Sequence, residues 1–250
     1  MRRTGPQEEG VRPVKERIIV ALDTDSPDSA LTVVQTLAGE VGMFKVGMEL
    51  FPRGGPDLVR KIRAAGGDVF LDLKFHDIPN TVGGAVRTAA ALGVRFATVH
   101  ASGGKEMLAR AAEAARGTGT TVLAVTVLTS LDDSDLSEIG FSSSAADMVL
   151  RLARMAMEEG IGGFVCSARE VPAVRKLVGK QAVLVTPGVR LPGDAVLDQK
   201  RVVTPFEAMR NGADYLVVGR PITKAADPAA AARRFADDMR SGREAGSRGA

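Results

Sequence analysis

Eight short apolar runs recur along this chain, and each is followed by a stretch in which apolar positions return every three or four residues. The runs are Ile18 to Leu22, Met43 to Gly47, Asp68 to Leu73, Phe96 to Val99, Thr121 to Val127, Gly163 to Cys166, Ala182 to Val185 and Asp214 to Val218. Short runs that are apolar on both faces predict strands of a buried parallel sheet. The stretches between them predict helices. The first starts at Ser26-Pro27, with Ser26 as N-cap and Pro27 at the first helical position, and carries Leu31, Val34 and Leu37. Further helices are predicted over 56–65, ended by Gly66-Gly67, and over Asn80 to Leu92, with Val82, Val86 and Ala90 on one face and Gly93 at its end. Others cover 105–115, 145–159, 170–177, Thr204-Pro205 to Met209, and 228–239, while 132–144 reads as a polar connection.

Strands alternating with helices over this length predict a single α/β domain, a (β/α)8 TIM barrel with its active site at the C-terminal ends of the strands. A doubly wound open sheet is the main rival. It usually has fewer strands and a Gly-rich fingerprint after the first, where this chain has Leu22-Asp23-Thr24-Asp25. The barrel domain is expected over 16–240. Residues 1–15 are expected as a flexible arm and 241–250 as a disordered tail, because both are rich in charge and Gly.

Composition narrows the function classes. With no Trp and one Tyr, the core must be built from aliphatic residues and Phe. The net charge of +3 is small for 250 residues and owes much to Arg in the two tails, so no nucleic-acid groove is implied. A single cysteine, Cys166, excludes an internal disulfide and fits a reducing, cytoplasmic compartment. Cys166 ends an apolar run and reads as a buried structural thiol rather than a nucleophile. No His or Cys cluster has zinc-site spacing. No apolar run approaches the ~20 residues of a membrane span. Arg2 and Arg3 have no apolar stretch behind them, which does not match a signal peptide.

The barrel reading collects the chemistry. Asp23, Lys45, Asp72, Lys74, His100, Thr129, Arg190 and Arg220 all fall at strand ends and would meet in one ring. Side chains alternate along a strand, so Asp72 and Lys74 share one face while Val69, Leu71 and Leu73 take the other. Asp77 follows in the loop, ahead of Pro79. Alone, Asp72 and Lys74 read equally well as a structural ion pair at the mouth of a sheet. With Asp23 and Lys45 they form a ring of alternating charge, which favours catalysis. Gly219-Arg220 after the last strand suits a phosphate, through backbone N–H groups and a guanidinium fork, although a surface Arg after a tight turn is the bland reading. Gly188 and Arg190 repeat that suggestion more weakly. The long loop from Arg190 to Val203, which contains Gln199, is the candidate lid. His76 has apolar neighbours and His100 reads as a packed residue. Ser102-Gly103-Gly104 reads as a helix start, and Met43 and Met48 as core filler.

Phe70-Leu-Asp-Leu-Lys-Phe-His-Asp-Ile-Pro-Asn-Thr81 resembles the signature of the orotidine 5′-phosphate decarboxylase family. Further motifs agree in order: Ala21-Leu-Asp23, Lys45-Val-Gly47, Val99-His-Ala-Ser-Gly-Gly104, Thr126-Val-Leu-Thr-Ser130, Val185-Thr-Pro-Gly-Val-Arg190, Asp198-Gln199 and Gly219-Arg-Pro221. The likeness covers about 17 to 238 and is greatest to the compact bacterial branch.

The resemblance implies conversion of orotidine 5′-monophosphate to uridine 5′-monophosphate and carbon dioxide, the last step of de novo pyrimidine synthesis. It implies no metal, no organic cofactor, and a homodimer with each site at the interface. Carried onto this chain, Asp23 and Lys45 would hold the ribose hydroxyls, with Lys45 also steadying Asp72. Asp72 would lie beside the substrate carboxylate, Lys74 would protonate C6, and Asp77 would serve the neighbouring subunit. Ile78 and Thr81 would contact the ligand, and Thr129, with Ser130, would face the pyrimidine. Pro187, Arg190, Gln199, Gly219 and Arg220 would hold the phosphate and the base edge. A magnesium-dependent sugar-phosphate lyase on a similar barrel is the nearest rival. Such enzymes share Asp-x-Lys-x-x-Asp but lack the Phe-His before the second Asp and the Ile-Pro-Asn-Thr after it. A non-catalytic nucleotide-binding module is a second rival, and the intact Asp72, Lys74 and Asp77 argue against it.

Overall fold

Strand β1 (Ile18–Ala21) pairs in parallel with β2 (Met43–Gly47), and the pairing continues in chain order through β3 (Asp68–Phe75), β4 (Phe96–His100), β5 (Thr121–Val125), β6 (Gly163–Val165), β7 (Val183–Pro187) and β8 (Tyr215–Val218). β8 then pairs back onto β1, with Ile19 opposite Val217, and closes the (β/α)8 barrel. Closure leaves no sheet edge among these strands. The computed structural model describes residues 13–193 and 203–248.

Alternation along the strands divides the core in two. Ile19, Ala21, Met43, Phe70, Phe96, Leu123, Val185, Tyr215 and Val217 point inward and fill the barrel. Their neighbours, such as Val20, Phe44, Leu71 and Ala97, face outward under the helices. The Phe96 ring meets Phe70 and Tyr215 edge-on, with centroids 6.0 and 5.2 Å away. The one Tyr therefore sits at the barrel centre, and aromatic edges do the filling that a Trp-free chain must arrange otherwise.

The helices follow the predicted apolar stripes. α1 (Pro27–Leu37) is capped by the Ser26 hydroxyl, which accepts the Ser29 N–H at 3.2 Å. α2 (Phe51–Ala64) starts earlier than expected, but Gly55, at φ 53°, breaks it just before Pro56, where the predicted helix begins. α3 (Pro79–Ala91) and α4 (Lys105–Ala115) lie close to prediction. The polar connection over 132–144 contains a helix, α5 (Asp133–Glu138), held by a reciprocal cap between Asp132 and Asp135. Its capping residues, not an apolar stripe, define it. α6 (Ala145–Glu158), α7 (Val171–Val178), α8 (Pro205–Arg210) and the short α9 (Arg220–Thr223) complete the ring before the last helix.

That last helix, α10, runs Pro228–Arg248 and corrects the expected end near 239 and disordered tail from 241. The Gly residues that count toward disorder in the sequence are what seat it. A Cβ on Gly242 would stand 2.2 Å from the Phe206 carbonyl oxygen, and one on Gly246 would stand 2.9 Å from that of Arg210. Only a side chain of one hydrogen lets α10 lie this close to α8. Of the expected N-terminal arm, residues 1–12 lie outside the described residues, while Val14–Arg17 form a 3-10 turn that leads into β1. Residues 194–202 of the expected lid, Gln199 included, also lie outside them. The loop's two ends are joined where the Arg190 N–H donates to the Val203 carbonyl at 3.2 Å. Among the described residues, no helix is long and apolar enough to cross a membrane.

Candidate active site

β3 is the longest strand of the barrel and carries the central pair. Its alternation holds: Phe70 points into the barrel, Asp72 and Lys74 rise above it on the same side, and Val69, Leu71 and Leu73 pack outward. The pairing with β4 is not regular. Leu71 lies opposite Ala97 and Phe75 opposite Val99, so Asp72, Leu73 and Lys74 together face Thr98 alone. Within this bulge Lys74 adopts φ 49°, the one positive φ of a non-glycine residue among those described. Such a backbone costs on the order of 1–2 kcal/mol and has to be held by its surroundings.

The side chains form a line of alternating charge. Lys74 Nζ lies 3.0 Å from both Asp72 oxygens. Lys45 Nζ lies 3.9 Å from Asp72 Oδ2 and 3.2 Å from Asp23 Oδ1. The inner members, Lys45 and Asp72, are each 13% exposed, while Lys74 is 24% and Asp23 57% exposed. Burial of the inner pair reduces solvent screening there. The buried Thr98 hydroxyl accepts the Lys74 backbone N–H at 2.9 Å and donates to Asp72 Oδ1 at 3.0 Å. Thr98 is absent from the sequence-derived candidates because it sits inside an apolar run. Its signal was the phase: Phe96, Thr98 and His100 share the inward face.

Asp77 follows in the exposed turn and its Oδ1 accepts the Ile78 N–H at 2.6 Å. Among the described residues it makes no ion pair with Lys74 of its own chain. Ile78, which caps α3, is 67% exposed, and Thr81 is exposed in that helix's first turn. Thr129 and Ser130 lie in the turn after β5, and Pro187 ends β7. Gly219 caps α9 and lies beside Asp23, so a Cβ there would stand 3.8 Å from Asp23 Oδ2. Arg220 begins α9 and is exposed. These residues all lie at or just after the C-terminal ends of β3, β5, β7 and β8. Arg190 differs in being buried, with Nη1 donating to the Val189 carbonyl at 2.8 Å.

His76 and His100 stack with ring centroids 5.3 Å apart. Burial, followed by the nearby His76 and Lys74, holds the His100 pKa below the ordinary histidine value, with Asp72 opposing, so His100 is neutral at pH 7. Cys166 is buried, and burial pushes its thiol pKa well up, which leaves it an inert core residue as expected. Among the described residues, no group of three or more His, Cys, Asp or Glu side chains is arranged to hold a metal ion.

A family model described as "Orotidine 5'-phosphate decarboxylase / HUMPS family" matches residues 16–235. The orotidine 5′-phosphate decarboxylase of Anaeromyxobacter dehalogenans is 55% identical over 221 residues, which cover 88% of this chain and 97% of that protein. The protein of that name from Nitrosomonas europaea is 50% identical over 225 residues, 90% of this chain and 97% of that one. The crystal structure of orotidine 5′-phosphate decarboxylase from Lactobacillus acidophilus superposes with a TM-score of 0.79 at 39% identity, covering 91% of this chain and 99% of that one.

Proposed function

The chain belongs to the orotidine 5′-phosphate decarboxylase / HUMPS family, and from that premise we propose that it converts orotidine 5′-monophosphate to uridine 5′-monophosphate and carbon dioxide. The relatives described above make it a carboxy-lyase. The observation that carries the mechanism is the Lys74 ammonium seated on the Asp72 carboxylate inside the line of alternating charge.

Breaking the bond between C6 and the carboxylate leaves an electron pair on a vinyl carbon, in the plane of the ring and out of reach of its π system. No proton is available for a base to remove. Fixed positive charge where the pair develops is what lowers the barrier. Lys74 supplies that charge and then gives its proton to C6, and the amine regains a proton from solvent. Asp72 sits beside the substrate carboxylate, so loss of carbon dioxide relieves a repulsion between anions.

Asp23 and Lys45 hold the ribose hydroxyls, and Lys45 also steadies Asp72. Thr129 and Ser130 face the pyrimidine. Gly219 and Arg220, with Pro187, Arg190 and Gln199, take the phosphate and the base edge. Contacts this far from C6 supply binding energy that orients the base. The chain acts as a homodimer in which Asp77, Ile78 and Thr81 serve the neighbouring site. The exposure of the apolar Ile78, next to Asp77, supports that reading. The catalytic domain begins near residue 16 and runs through α10 to Arg248, needs no metal or organic cofactor, and works in the cytoplasm.

The family description also names HUMPS, so the test must separate the decarboxylase from a magnesium-dependent sugar-phosphate lyase. Absorbance of the orotidine nucleotide should fall on addition of the protein, at the same rate with and without EDTA. Loss of activity in EDTA, restored by magnesium, would overturn the metal-free reading. No turnover under either condition would overturn the substrate.

A further inference from the structure

We propose that Thr98 is a positioning residue that sets the Asp72 carboxylate and the Lys74 backbone together, a role that rests on the decarboxylase reading above. The bulge creates the need. In a regular parallel ladder a carbonyl of β4 would receive the N–H of a β3 residue at this level. Three residues of β3 instead face Thr98, and the N–H of Lys74 has turned away from the ladder. A buried N–H without a partner is costly. The Thr98 side chain takes the carbonyl's place and accepts that N–H at 2.9 Å.

A hydroxyl has one proton and two lone pairs. With a lone pair given to Lys74 N–H, the proton goes to Asp72 Oδ1, 3.0 Å away. Oδ1 therefore has two donors, the Thr98 hydroxyl and Lys74 Nζ, while Oδ2 faces Lys74 Nζ and Lys45 Nζ. The result is a closed loop from Thr98 Oγ1 through Asp72 and the Lys74 ammonium to the Lys74 backbone and back. One oxygen atom restrains the carboxylate's rotation and the left-handed backbone from which the proton donor projects. Thr98 is fully buried and so exchanges no partner with solvent. Its β-branch suits a strand, so only the hydroxyl separates it from Val.

Two variants separate the hydroxyl from the packing. Thr98→Val keeps shape and removes the oxygen. Thr98→Ser keeps the oxygen and removes a methyl. For Thr98→Val, kcat should fall roughly ten- to hundredfold, the range for losing a hydrogen bond to a charged group. KM and affinity for uridine 5′-monophosphate should stay within about threefold, because phosphate and ribose contacts are untouched. Thr98→Ser should recover most of the turnover. Amide exchange at Lys74 supplies a readout that packing does not move. It should be protected in the unmodified protein and at least ~10-fold faster in Thr98→Val.

Full turnover in Thr98→Val, or equal losses in both variants, would overturn the proposal. Should Thr98→Val not fold, an unprotected Lys74 amide in the unmodified protein would overturn it and a protected one, lost in Thr98→Ser only in part, would support it. Should the protein turn over no orotidine nucleotide at all, the decarboxylase reading fails separately, and Lys74 exchange still decides whether Thr98 holds this backbone.

Discussion

The two ends of the barrel both carry networks of acids and cations, built on opposite terms. At the end where the strands begin, Arg175 spends its guanidinium on the carbonyls of Gly179, Ala182 and Gly212 and on the Asp214 carboxylate. Asp214 also accepts the Leu184 N–H at 2.8 Å, and its carbonyl accepts from Arg17 at 3.2 Å. Burial pushes the Asp214 pKa up, with Arg175 the main opposing influence. A cavity of about 980 Å³ opens there, lined in part by Arg17, Arg95, Arg175 and Asp214. It is not where the strand-end charges of the proposed site converge. Arg175 within it serves to tie loops together.

At the mouth, Lys45 and Lys74 contact carboxylates rather than carbonyls, and the backbone of Lys74 is strained. An ammonium has three rotatable donors, so a carboxylate partner leaves it able to turn to a substrate. An ion pair at a strand end is thus structural where backbone carbonyls saturate it. It is poised for chemistry where only side chains hold it.

Lys74→Ala should break the mouth outright: turnover drops by ~10⁴ or more, while calorimetry still detects binding of uridine 5′-monophosphate. Near-normal turnover would remove Lys74 as proton donor. Mixing inactive Asp72→Ala protein with inactive Asp77→Ala protein probes whether the mouth is shared. Random dimers should regain roughly a quarter of the unmodified activity, since half are hybrids with one intact site of two. No recovery would keep Asp77 within its own chain's site. Arg175→Ala sharpens the other side. Denaturant unfolding should show a loss of about 1.5–3 kcal/mol, as for losing hydrogen bonds to a charged, part-buried group, with kcat per folded molecule unchanged. A large drop in kcat with little loss of stability would reverse the roles of the two ends.

Much of this was legible because periodicity is a direct imprint of geometry. Period two along β3 placed Asp72 and Lys74 on one face, and the order of strands brought Asp23 and Lys45 to them. The bulge was not legible. Nothing in Leu71 to Phe75 marks a slipped register, since register is a property of two strands, and the partner residue, Thr98, is an ordinary strand former. Arg190 shows the same limit: its place at a strand end was readable, but whether its guanidinium faces ligand or backbone depends on packing. The tail was misread because Gly242 and Gly246 carry opposite meanings in isolation and against a neighbouring helix.

The seat of α10 on α8 reaches further than the packing of two helices. α8 begins at Pro205, directly after the segment that bears Gln199, and its first turn is bolted down where Asp238 of α10 accepts the Phe206 N–H at 2.8 Å. The chain's last turns therefore clamp the start of α8, the first helix after residue 203. Anyone trimming the protein for crystals or fusions would naturally cut at Ser241. That cut would take away both glycine contacts with α8 and leave the Asp238 carboxylate as the remaining tie from α10 to the first turn of α8 described above.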